Sequence, residues 1–221
     1  MLIVAREGDR RCKLRPSQRA MVALVCLREH TILAKIAAGF GISESTAHGC
    51  TSAAVRLLAD HVPVLLKVLR EHNPDFALLD GTLAECDRVG DGRADYSHKH
   101  RWHGVNVQVV TEPDGRLLWL SPALSGRSHD LTAARSHRIT WICESQGVPR
   151  PGRPRPPGQW PLGDHRHQAP APAGTHHHRE DRQVERGVAR LKSWRIFRRS
   201  RCSPNCMTSI AKAILTLERG H

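Results

Sequence analysis

Three carboxylates sit at informative places in this 221-residue chain. Asp80 follows the apolar run Phe76–Leu79 and precedes Gly81-Thr82, a pattern that reads as a buried strand with an acid at its C-terminal tip. Glu185 opens the helical stretch Val184–Lys192, and Asp130 stands at the start of another helical segment. Carboxylates carried on separate elements are hard oxygen donors that suit a divalent cation, Mg2+ first and Mn2+ second. Each acid also has a plainer reading. Asp80 could close a strand-end turn, Glu185 could sit in a first helical turn favoured by the helix dipole, and Asp130 could be an N-cap. Cys202 and Cys206 lack the two further ligands that zinc would need, so they read as structural or incidental.

Other elements must position these acids. Residues 1–16 form a basic arm ending at Pro16. From Ser17, a plausible N-cap, Met21, Val22, Leu24, Val25 and Leu27 give one apolar helical face. A second helix over about Thr31–Phe40 turns Ile32, Leu33, Ile36 and Ala37 inward. Gly41 then breaks the period, and Ser43 opens a third helix. This rhythm predicts a helix-turn-helix with Ser43, Ser45, Thr46 and His48 near the start of its recognition helix and Lys35 close by. An ordinary helical hairpin is the alternative. The helical unit is expected over 17–72, and an α/β domain begins at 73. Within that domain, Val105–Val110 alternates as a strand, Pro113-Asp114-Gly115 is turn chemistry, and Arg116–Leu120 returns as the partner strand. A helix from about His129 to Gln146 follows, capped by Ser128 or Asp130.

Between 150 and 183 the composition breaks: Pro, Arg, Gly and His crowd together with almost no aliphatic residues. As written this is a disordered basic segment, and so long a structureless stretch inside a compact domain counts against the assignment. Reading degenerate codons for 150–170 one nucleotide later permits a strand-like string with Leu-Ala-Asp, a Gly-rich loop and a second strand-like run. The shifted Asp falls where the chain has Arg153. A local frameshift is therefore expected, with normal reading resumed before Val184 and the helical part completed over 184–221. The His176-His177-His178 cluster lies in this stretch and is discounted as a metal site.

The order of strand with Asp80, hairpin, helix, lost strand with its acid, and helix with Glu185 is that of an RNase H-like nuclease core. There, carboxylates converge on two cations. The strings Leu78-Leu79-Asp80-Gly81-Thr82, Tyr96-Ser97-His98-Lys99-His100, Gly104-Val105-Asn106-Val107-Gln108, Gly126-Arg127-Ser128-His129-Asp130 and Val184–Lys192 occur in sequence. Together they resemble bacterial insertion-sequence transposases with a Harbinger-like DDE domain and an N-terminal helix-turn-helix. The resemblance spans nearly all of the chain except about 150–183. It implies an α/β RNase H-like core, incomplete here, behind a small all-α domain. It also implies Asp80 and Glu185 as first and last acids, and metal-dependent DNA cleavage and strand transfer. The family's middle acid lies in a Leu-Ala-Asp string that only the shifted frame restores, with Asp130 as the alternative, so the copy is expected to be defective. A non-catalytic DNA-binding remnant is the rival reading.

Charge points to the same partner. Lys and Arg number 34 against 21 Asp and Glu, a formal +13, which matches a polyanion better than a solvated surface requires. Lys99 and Arg101 before the hairpin, and Arg190, Lys192 and Arg195 after Glu185, are the candidate DNA contacts, with Trp194 turned toward the core. A merely solvated basic face is the alternative. Seven irregularly spaced cysteines suggest a reducing cytoplasm, and no apolar run is long enough for a membrane span. Transposon ends and target DNA are the expected partners, with a homo-oligomer possible from the family.

Overall fold

The computed structural model describes residues 14–86, 95–98, 100–148, 173–200 and 204–220, with backbone alone for 173–181, 184, 204 and 205. Helices α1 (Pro16–Glu29), α2 (Leu33–Phe40) and α3 (Glu44–Ala59) form the N-terminal unit. Its small core gathers Leu14, Val22, Ile36, Ala37 and Ala47, with Val25, Leu33, Phe40 and Ile42 against it. The unit therefore starts before Ser17: Pro16 occupies the first helical turn, and the Gln18 side chain accepts from the Arg15 backbone N–H at 2.9 Å. Met21 and Leu24 are exposed rather than inward, as is Ile32.

The turn between α2 and α3 follows from Gly41. Its φ of 63° is the left-handed conformation that glycine adopts without a Cβ penalty. Ile42 N–H reaches back to Ala37 O at 3.0 Å and Gly41 N–H to Ala38 O at 3.3 Å, closing the end of α2. Ser43 then caps α3 by accepting from Thr46 N–H at 3.2 Å.

Helix α4 (Leu65–His72) leads into the sheet, which holds β1 (Leu78–Cys86), β2 (Tyr96–Ser97), β3 (Trp102–Thr111), β4 (Leu117–Leu120) and β5 (Leu124–Ser125). Next come α5 (Asp130–Ser136), α6 (Ile139–Ser145), α7 (Ala173–Lys192), α8 (Arg195–Arg198), β6 (Arg199–Ser200) and α9 (Pro204–Arg219). Strand β3 lies antiparallel to β1, with Asp80 opposite Val109, and antiparallel to β2, β4 and β5. On its other edge, among the described residues, β1 is paired only at Glu85 and Cys86, by β6 in parallel. This is the mixed α/β arrangement expected, with one flank of the acid-bearing strand largely unmatched by described strands.

Three local expectations are corrected. Strand β1 continues past Thr82, so Asp80 is its third residue and not its C-terminal tip. Strand β3 begins at Trp102, ahead of the Val105 expected, and is buried on both faces from Gly104 onward. The helix expected over His129–Gln146 is broken: Arg138 takes φ 52° and separates α5 from α6, with His129 rather than Ser128 or Asp130 at the cap position.

Alternation divides the sheet between two cores. One face carries Ala84, Cys86, Val105, Val107 and Val109, packed with Leu191, Phe197, Met207 and Ile214. The other carries Val110 and Leu79 against Leu65, Leu69, Ile139 and Cys143. Leu27 and Val55 of the N-terminal unit belong to the first core, so the two units share one apolar interior.

Candidate functional site

The acids are best located by sheet face. Asp80 and Thr82 project with Val107 and Val109 toward the core that α7 to α9 cover, because side chains two apart on a strand share a face. The Asp80 Oδ1 also accepts from Gly81 N–H at 2.8 Å. Helix α7 packs against β1 and β3 on this same side. Two glycines permit that approach. A Cβ on Gly187 would come within 2.5 Å of the Thr111 methyl, and one on Gly115 within 2.7 Å of Gln183 O. Gly115 has φ 87°, so its turn conformation also favours glycine. This seat carries Glu185, two residues before Gly187, exposed on the helix. On the same sheet face, the Thr82 and Thr111 hydroxyls are buried without a hydrogen-bond partner.

Asp130 lies across the sheet. A Cβ on Gly81 would fall 1.9 Å from Asp130 Oδ1, so this carboxylate occupies the space above Gly81, whose face is opposite that of Asp80. Asn106 Nδ2 donates to Asp130 Oδ1 at 2.7 Å and to Ser128 O at 3.1 Å, while Gln108 Nε2 donates to Asn106 Oδ1 at 2.8 Å. Asp130 is thus tied to the buried Asn106 amide, which Gln108 holds in turn, and it lies on the sheet face opposite Asp80. Asn106 and Gln108 were missed as site residues. The available signal was a pair of long amides two apart in an otherwise Val-rich strand.

The described acids fit a divalent ion incompletely. Asp80 and the helix bearing Glu185 share a face and supply hard oxygens. Yet among the described residues no three His, Cys, Asp or Glu side chains gather so that they could hold a metal. Arg153, where the shifted frame would place an Asp, lies outside the described residues.

Residues 79–218 match the family model described as DDE superfamily endonuclease, and residues 12–63 match the model described as helix-turn-helix of DDE superfamily endonuclease. The chain belongs to the DDE superfamily endonucleases. No curated protein and no solved structure matches it. Membership carries a transposase-like DNA-processing function, DNA binding and dependence on a divalent metal. No helix among the described residues is long and apolar enough to cross a membrane.

In this endonuclease the candidate DNA contacts of the helix-turn-helix lie at one open end. Ser43, Ser45 and His48 are exposed and Thr46 half-buried at the start of α3, with Lys35 exposed on α2. Ser43 Oγ lies 2.9 Å from both Ser45 Oγ and Thr46 Oγ1. The other end of α3 is fixed: Val55 is in the shared core and Leu58 O accepts from Thr216 Oγ1 at 2.8 Å. The candidate contacts after Glu185 are less open to DNA. Arg190 pairs with Glu218, and Arg195 with Glu29 at 3.2 Å, although both remain exposed; Lys192 is half-buried. Trp194 is buried as expected and donates to Glu218 Oε1 at 2.7 Å. Arg101 is exposed with φ 62°, and Lys99 lies outside the described residues.

Proposed function

We propose that this endonuclease descends from an insertion-sequence transposase and survives as a DNA-binding copy that no longer cuts. The supporting observation is the split site: Asp80 and the Glu185 helix share a sheet face behind a helix-turn-helix, and no third described acid joins them. Asp80 and Glu185 are the first and last metal-binding acids in this reading, and Mg2+ is the ion the ancestral site would take, because hard carboxylate oxygens suit it. The ancestral reaction cut element ends and joined them to target DNA. A frameshift across 150–183 removed the middle acid, which supports loss of cleavage rather than loss of binding. The organisation that follows is a helix-turn-helix unit from residue 14 to about 72, a split catalytic domain on either side of the break, and a misread stretch over 150–183 that runs into the start of α7.

The test compares the natural chain with one whose gene has the shifted frame restored. Both should bind a labelled end fragment with steep salt dependence, and only the restored chain should cleave it with Mg2+. Cleavage by the natural chain would contradict the reading. Failure of the restored chain to cleave would remove the frameshift explanation.

A further inference from the structure

The β2–β3 hairpin carries an aromatic platform that the nuclease reading does not use. Trp102 is 49% exposed and lies in a stack with His100, ring centroids 6.0 Å apart and planes 20° from parallel. On the neighbouring positions, Tyr96 meets His98 and His103 edge-on, each at 5.3 Å. The tip is held tightly: Arg101 N–H donates to Ser97 O at 2.7 Å, and Arg101, exposed, takes the left-handed φ of 62°. Tyr96 pairs with His103 and Ser97 with Trp102 in the hairpin register.

An indole left half in water has a flat apolar face with no partner on its outer side, which is costly unless something covers it. The surroundings select the occupant. His98, His100, Arg101 and Trp102 are all exposed, so a flat ring stands among nitrogen-bearing side chains and a fixed cation. That combination suits a nucleobase attached to a phosphate backbone: the base stacks on the ring and the cation meets the phosphate. An apolar protein segment would leave Arg101 unmatched. A fully paired duplex would present edges and not faces, so the base must be unpaired.

We infer that Trp102 and His100 form a stacking site for an unpaired DNA base, with Arg101 beside its phosphate. The site rests on the DNA-binding reading above. Trp102 is seven positions along β3 from Val109, the partner of Asp80. At roughly 3.3 Å per residue this places it on the order of 23 Å from the acid. It is therefore a binding residue at a distance from the scissile phosphate and takes no part in the chemistry.

The probe is a 30-base-pair duplex carrying one extrahelical 2-aminopurine, compared with the same duplex fully paired. The natural full-length chain should bind the bulged duplex roughly tenfold more tightly and quench its 2-aminopurine fluorescence, the size expected for one base–aromatic stack. Trp102→Ala should lose both the preference and the quenching while keeping its affinity for the paired duplex. Trp102→Phe should retain much of each. Unchanged paired-duplex binding also shows that the Ala variant is folded. Equal affinity of the natural chain for both duplexes, or a preference that survives Trp102→Ala, would overturn this site alone. Binding of neither duplex would overturn it together with the DNA-binding reading.

Discussion

At the residue scale, the most constrained position is Gly81. Its missing side chain leaves the space that the Asp130 carboxylate fills, so Gly81→Ala forces overlap with a hydrogen-bonded group. The expected cost is about 1–3 kcal/mol, read as a lower denaturation midpoint with an unchanged slope. In the Gly81→Ala/Asp130→Ala double variant the two losses should be less than additive, because the overlap is gone. Additive losses would show that the two residues do not meet. His137 gives a pH prediction. Burial pushes its pKa down and a hydrogen bond to the Pro122 backbone pushes it up, with burial the larger effect. The folded state therefore binds fewer protons here than the unfolded state. Its contribution to stability is full above the unfolded value near 6.5 and is lost as pH falls through that value toward the lower folded one. Unfolding midpoints followed from pH 7.5 to 5 should fall in the natural chain and fall less in His137→Gln. Equal slopes would refute the assignment. Burial also raises the Cys26 thiol, against a smaller opposing hydrogen bond from Thr51. Cys206 is exposed, and alkylation at pH 8 should label it well before Cys26.

At the element scale, α3 connects the two halves of the molecule. Its N-terminal turn is capped by Ser43 and faces solvent, while Val55 reaches the core that also holds Leu27, Phe197 and Ile214. Arg28 crosses the junction from α1, 4.9 Å over the Trp194 ring and 3.0 Å from Ser193 Oγ. A change in the N-terminal unit should therefore be felt by the whole chain. Leu27→Ala should cost about 2–5 kcal/mol and lower one cooperative transition. Two separated transitions would show that the units unfold independently. The helix-turn-helix was legible because Gly41 and Ser43 mark its turn by local chemistry alone. The hairpin between β3 and β4 was legible for the same reason, through Pro113-Asp114-Gly115. The length of β1 was not. Gly81 and Thr82 read as a turn, and only pairing with β3 through Glu85 makes them strand. Nor could sequence show that Asn106 and Gln108 are buried: Gln108 donates to Asn106, and Asn106 donates to Asp130, more than twenty residues away.

At the scale of the whole molecule, the fold was readable, but the sheet face that each candidate acid occupies was not. Face depends on the register of β1, and a shift of one residue would exchange Asp80 and Gly81. Register also explains why Asp130, plausible by spacing, lies across the sheet from Asp80. The positive charge of the chain is a property of this scale too. Binding to end-bearing DNA should weaken steeply with salt, with a slope of about −4 or steeper in the logarithmic plot for several phosphate contacts. A flat salt response would remove DNA as the partner. The central claim, a DNA-binding endonuclease whose site has lost one acid, is tested most directly by cleavage of end-bearing DNA with Mg2+. The natural chain should shift the DNA in a gel and leave it intact, while the frame-restored chain cuts it and a Glu185→Gln change in that chain abolishes cutting. Cutting by the natural chain would contradict the account.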